Sequence, residues 1–166
     1  MRLPIYRIFL FLFVLLFLSV PLSSQTLDPQ TAGITKEEAR QFLEHYKNRY
    51  TQKDIEGFIS LFSFKAIQNE RDGFNDIRKM YSDFFNQSQE LRYHLEVIKI
   101  EIHKEALIFG LFYESAISVE AHYTVDQTVK KTGNKKVWEG DVRWILIKEN
   151  GALRILSLDF KHQKSP

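Results

Sequence analysis

The side chains that could do chemistry are few, and most stand apart from one another. There is no cysteine among the 166 residues, which removes disulfides, thiolate metal sites, a cysteine nucleophile and a lipidated cysteine anchor. The histidines show no metal-ligand spacing. His45 sits on a different helix face from Tyr46, and His94 and His103 have opposite parity in one strand. His122 lies across its strand from Val119, Ala121 and Tyr123. A metal site needs three convergent ligands, so none is expected, and no cofactor is expected either. Gly-x-Ser-x-Gly elbows, phosphate loops, dinucleotide fingerprints and His-Glu-x-x-His are absent.

Two features remain. Asp159 is a carboxylate in an apolar closing strand, sharing alternation parity with Leu153, Ile155 and Ser157. Among apolar neighbours its pKa would rise and it could move a proton, whereas at a frayed strand end it would merely be solvated. The aromatic residues are the second feature. Trp138 and Trp144 share parity with Val142 and Leu146, and with Phe42, Tyr46, Phe58, Phe84 and Phe85 they could either line an apolar pocket or fill it.

These residues need elements to position them. Thr35 and Glu38 form a capping-box pattern. Ala39, Phe42, Leu43, Tyr46 and Tyr50 then recur at helical spacing to about Gln52. Asp54 opens a shorter helix with Ile55, Phe58, Ile59 and Phe62 on one face. Lys65–Gln68 is long enough only for a short strand, Asn69–Gly73 reads as a loop, and Asn75 or Asp76 is placed to cap a third helix bearing Ile77, Met80, Tyr81, Phe84 and Phe85.

From Leu91 the period becomes two. The apolar phase slips at Val97–Ile98, which is what a β-bulge requires. A turn is expected at Lys104–Glu105. The alternation from Leu107 to Val125 is too long for an ordinary strand, so a bend or break is expected near Glu114–Ser118. Thr132–Gly133–Asn134 and Glu149–Asn150–Gly151 mark hairpin turns around strands Val137–Lys148 and Leu153–Phe160. Helices first and a meander afterwards give an α+β domain, the helices covering one face of a curved antiparallel sheet.

Ahead of the domain, Arg2 and Arg7 flank an apolar stretch from Ile8 to Val20 that Pro21 ends, with Leu22–Ser24 as a cleavage region before Gln25. Its length suits a secretory signal better than a bilayer span, which needs about 20 residues. The expected organisation is a signal at residues 1–24, a linker at 25–34 and a domain at 35–162. Localisation is then periplasmic or secreted, the alternative being a membrane anchor if the segment is retained. Arg2 and Arg7 are the only charges in the first 24 residues, so the remainder carries 21 basic and 21 acidic residues. No basic excess points to nucleic acid; Lys130, Lys131, Lys135 and Lys136 surround a hairpin tip. Asn86–Gln87–Ser88 is an acceptor sequon, meaningful only in a eukaryotic secretory route.

The segment FLEHYKNRYTQKDIEGFISLF and the strand–turn–strand DVRWILIKENGALRILSLDF together resemble the opening and close of the nuclear transport factor 2-like superfamily. That group takes in ketosteroid-isomerase-like and SnoaL-like, polyketide-cyclase-like proteins. The resemblance covers Thr35 to about Lys161 and implies a cystatin-like cone, its sheet wrapped around a pocket that members use for catalysis, for binding or only for packing. Carried over from the isomerases, the oxyanion-donating tyrosine falls on Tyr46 and the proton-moving carboxylate on Glu70. The acidic donor position falls on Arg143, with Asp141 two residues away. A cationic arginine cannot be a neutral acid donor, so the catalytic set is incomplete. Three readings follow. The first is a non-catalytic domain binding a small apolar ligand or a partner protein, through Phe42, Tyr46, Phe58, Phe84, Trp138 and Trp144 if the cone is the site. The second is a cofactor-independent isomerase, dehydratase or cyclase using Tyr46, Glu70 or Asp159. The third is a homodimer joined through the exposed sheet face.

Overall fold

The computed structural model describes residues 33–164, with side chains as far as 161. The expected signal and most of the linker lie outside the described residues. Helix α1 (Lys36–Gln52) starts where its caps dictate: the Thr35 hydroxyl accepts from Glu38 N at 3.1 Å, and Glu38 Oε2 accepts from Thr35 N at 2.8 Å. It stops at Lys53, whose φ of 56° is left-handed. Asp54 then caps α2 (Ile55–Ile59), accepting from Gly57 N at 3.0 Å while pairing with Arg49.

Strand β1 (Phe62–Gln68) and the two-residue β2 (Asp72–Gly73) lead into α3 (Phe74–Gln87). Its N-cap is Gly73, with no side-chain cap bond, rather than Asn75 or Asp76. Four long strands follow: β3 (Ser88–Ile108), β4 (Leu111–Val129), β5 (Lys135–Glu149) and β6 (Ala152–Lys164).

The sheet order is β2-β1-β6-β5-β4-β3. The sheet is curved and unclosed, and the helices pack on it as an α+β cone. It is mixed rather than wholly antiparallel, because β1 runs parallel to β6, with Gln68 opposite Leu158. The bulge expected at Val97–Ile98 is present as a register shift between Val97 and Lys99.

The β3–β4 turn is not at Lys104–Glu105. Glu105 takes a positive φ of 54°, yet pairing continues through Ala106↔Tyr113 and Ile108↔Leu111. Phe109 and Gly110, with φ of 50° and 75°, make the turn; two successive left-handed residues match strand twist at a tight hairpin. Strand β4 therefore starts at Leu111 and runs unbroken through Glu114–Ser118.

A second irregularity, in β6, has a larger effect. Leu146 faces Ile155 while Ile145 faces Ser157, leaving Leu156 as an extra residue. A one-residue insertion reverses which face each later side chain takes. Accordingly Ile155 and Leu158 belong to the main core with Trp144 and Leu146, whereas Leu156 packs with Ala116 and Ile147 in a separate cluster. The main core fills the concave side, where Phe42, Tyr46 and Tyr50 of α1, Phe58 of α2 and Ile77, Tyr81 and Phe85 of α3 meet the inner face of β4–β6.

Candidate functional site

A cavity of about 230 Å³ remains inside the cone. Its wall is built from residues far apart in the chain: Tyr46 and Tyr50 one turn apart on α1, Tyr81 and Phe84 on α3, Tyr93 on β3, Tyr123 and Val125 on β4, and Trp138 on β5. Gln68, Asn69, Met80 and Phe160 complete it. Helical spacing of four puts both α1 tyrosines on the face turned to the sheet. Strand alternation does the same for Tyr93, which lies opposite Val125, and for Tyr123, opposite Leu95.

The tyrosine rings pack edge to face, tilted or, in the pairs Tyr46–Tyr50 and Tyr93–Tyr123, stacked. Tyr46 is 5.6 Å from Tyr93, Tyr50 is 4.7 Å from Tyr93, and Phe160 covers Tyr123 at 5.3 Å. Their hydroxyls are less well provided for. Those of Tyr46, Tyr81, Tyr93 and Tyr123 are buried with no hydrogen bond of standard geometry. The Tyr46 hydroxyl lies within hydrogen-bonding reach of those of Tyr81 and Tyr93, although neither contact has standard geometry.

Burial, reinforced by the neighbouring phenols, pushes Tyr46, Tyr50, Tyr81 and Tyr93 well above the usual tyrosine range. Burial, with Asp141 nearby, raises Tyr123 to about 12. Every phenol in the wall is thus a neutral hydroxyl at physiological pH, able to donate and unable to serve as a base. The Gln68 amide donates from Nε2 to Met80 Sδ at 3.6 Å, and its Oε1 is buried and unpartnered. No aspartate, glutamate, histidine, lysine or arginine lines the cavity.

A relay of side chains holds one side of the wall. Trp138 Nε1 donates to Gln127 Oε1 at 3.4 Å, Gln127 Nε2 donates to Ser88 Oγ at 2.8 Å, and Ser88 Oγ donates to the Phe84 carbonyl at 2.7 Å. The relay ties β5, β4 and the end of α3 together, and it occupies the hydroxyl of the Asn86–Gln87–Ser88 sequon. On the other side Asn69 Oδ1 accepts from Phe160 N at 3.0 Å.

Of the residues singled out from sequence, Tyr46, Phe84 and Trp138 line the cavity, while Phe42, Phe58 and Trp144 are buried in the packing around it. The structure does not bring the three catalytic candidates together. Glu70 is exposed in the turn after β1, at a φ of 63°. Asp159 follows the Leu156 bulge and no longer shares a face with Ile155. It pairs across the sheet with Arg143, and its Oδ2 accepts from Ser157 Oγ at 3.0 Å.

His103 and His122 lie on the same outer face. His103 Nε2 contacts Ser118 Oγ at 2.8 Å, and His122 Nδ1 contacts Asp141 Oδ1 at 3.0 Å. Among the described residues no three metal-ligating side chains converge. Sequence reasoning passed over Tyr50, Tyr81, Tyr93, Tyr123 and Gln68 as site residues. The available signal was the use of tyrosine, in place of phenylalanine or leucine, at one apolar-face position after another.

No protein-family model matches the sequence, and no curated protein matches it. Solved structures do match in shape. A conserved protein from Planctomyces limnophilus superposes with a TM-score of 0.64 at 11% identity, over 78% of this chain and 96% of that one. A scytalone dehydratase-like protein from Novosphingobium aromaticivorans gives 0.63 at 11% identity, over 78% and 86%. A nuclear transport factor 2-like protein from Salmonella enterica gives 0.58 at 16% identity, over 78% and 89%.

Proposed function

We propose that this chain, which has the nuclear transport factor 2-like fold, is an exported, non-catalytic binder of a small, largely apolar molecule carrying an oxygen acceptor. One observation carries the reading: Tyr46, Tyr81, Tyr93 and Tyr123 line one cavity, and their buried hydroxyls make no hydrogen bond of standard geometry. A buried unpaired donor costs about 1–3 kcal/mol, so a carbonyl or ether oxygen that accepts from these phenols recovers a penalty already built into the empty site. The rings around them supply apolar contact. A cavity of about 230 Å³ lies just below the roughly 300–1,000 Å³ of drug-sized sites, which suits a molecule of one or two rings.

Charged lining groups are lacking, which argues against the isomerase, dehydratase or cyclase reading. Such an enzyme needs a group that exchanges a proton near neutrality, and phenols pushed above the usual tyrosine range do not. Export rests on Arg2, Arg7 and the apolar stretch Ile8–Val20. A mature N-terminus at Gln25 in the exported fraction is the expected result of N-terminal sequencing.

The binding test uses 2-tetralone, a two-ring ketone, against tetralin, the same skeleton without oxygen. The ketone is expected to bind more tightly, and Tyr46→Phe or Tyr93→Phe to weaken it about fivefold each while leaving tetralin unchanged, the worth of one hydrogen bond near 1 kcal/mol. Equal affinity for both probes would remove the phenols from recognition. Protein-catalysed exchange of the ketone's α-protons in heavy water would restore the enzyme reading.

A further inference from the structure

Strand β3 is the outer edge of the sheet, paired only with β4 among the described residues. Its far half is unusually exposed for apolar side chains: Ile98 is 63% exposed, Ile102 41% and Leu107 73%. A long open edge is a template for another strand, and edges are normally blunted by bulges or charges. Here the bulge lies at Val97–Lys99; beyond it Lys99–Lys104 is regular, and Glu105 closes the run KIEIHKE at a left-handed φ of 54° without shifting the register.

We propose that this run pairs with the same run of a second copy of the chain, antiparallel and centred on Ile102, to form a two-fold dimer through the β3 edges. Strand geometry restricts the choice. Residues directly opposite must share a face, so a two-fold axis passes through one residue position, which then faces itself. Centring on Glu101 sets that carboxylate against itself, centring on His103 sets Glu101 against Glu105 twice, and centring on Lys104 opposes two ammonium groups. Centring on Ile100 draws the pairing into the bulge.

With Ile102 at the centre, Glu101 faces the second copy's His103, Lys99 faces its Glu105, and each relation occurs twice by symmetry. Opposite charges across a strand pair are favourable and like charges are not. Lys99 already reaches Glu101 in its own strand at 2.9 Å, so each end of the pairing gathers alternating charges. The Ile102 side chains meet on the axis. This contact uses the sheet edge, and it leaves the outer sheet face and the cavity free.

The register can be read covalently because the full chain has no cysteine. Residues facing each other in antiparallel strands have Cα atoms about 4.5–5.5 Å apart, within reach of a disulfide. Mild oxidation of Ile102→Cys is therefore expected to give mostly inter-chain dimer, and His103→Cys, displaced diagonally from its own copy, far less. In light scattering, Glu105→Lys is expected to raise the dimer dissociation constant about tenfold, and the charge swap Lys99→Glu with Glu105→Lys to restore it. Circular dichroism should show all variants folded.

A full chain that stays monomeric at every concentration, and whose Ile102→Cys variant does not cross-link, overturns the proposal. So does a dimer that Glu105→Lys leaves intact or that cross-links best at another position, since its contact then lies elsewhere.

Discussion

Five of the chain's seven tyrosines line one cavity. A phenylalanine at each position would pack as well and spare the chain a buried hydroxyl. The consequence is a trade between stability and binding. Removing the Tyr46 or Tyr93 hydroxyl should stabilise the empty protein by up to about 1 kcal/mol, since an unpaired polar group leaves the interior, while weakening the oxygenated probe. A urea midpoint that rises as probe affinity falls would demonstrate it; a midpoint that falls would mean the hydroxyl has a partner in solution.

The same phenols set a pH dependence. Their native pKa values lie above the unfolded value near 10, so above that pH the native state holds more protons than the unfolded one. Stability is then complete below about pH 10 and declines as pH rises further. The urea midpoint should show a decline above about pH 10 that is shallower in Tyr46→Phe and Tyr93→Phe. Glu70→Gln and Asp159→Asn, outside the cavity wall, should leave 2-tetralone affinity unchanged.

At the scale of elements, the caps were legible because each is a bond between residues three apart. Thr35 and Glu38 announce the start of α1, and the structure makes both of their reciprocal bonds. Thr35→Ala should cost about 1 kcal/mol. Gly57 is a less obvious necessity. A Cβ there would stand 2.9 Å from Asp54 Cγ and 3.0 Å from Arg49 Cδ, so Gly57→Ala should displace the carboxylate from the α2 amide it caps. The expected sign is a lower melting temperature, with the loss much reduced in an Asp54→Ala background, where there is no carboxylate to displace. The third helix was harder to start from sequence, because Gly73 contributes no side-chain bond and polar residues just inside the helix looked like better caps.

Taken whole, the molecule is held by aromatic contacts between helices and sheet. Phe58 is fully buried, with its ring 4.9 Å from Tyr46, 4.7 Å from Tyr81 and 5.5 Å from Phe62. Phe58→Ala should cost about 3–5 kcal/mol and loosen both tyrosines against the cavity. A larger loss of 2-tetralone affinity than either phenol-to-phenyl change would show that placing the hydroxyls matters as much as having them.

What the chain determines by itself is local. Periodicity changes from 3.6 to two near residue 90, the capping pairs announce α1 and α2, and the phase slip at Val97–Ile98 marks the bulge found there. Each is an interaction among near neighbours, so it is written in near neighbours. The Leu156 bulge leaves no such trace. Ile155, Leu156, Ser157 and Leu158 are all buried, so the strand is covered on both faces and an inserted residue breaks no polar–apolar alternation. That unseen residue puts Asp159 opposite Arg143 on the outer face rather than inside the cone. The cavity is likewise a tertiary fact. Tyr46, Tyr81, Tyr93 and Tyr123 sit on four elements, and each alone reads as an ordinary apolar-face residue. Only when the sheet curls under the helices do these four tyrosines arrive around one cavity.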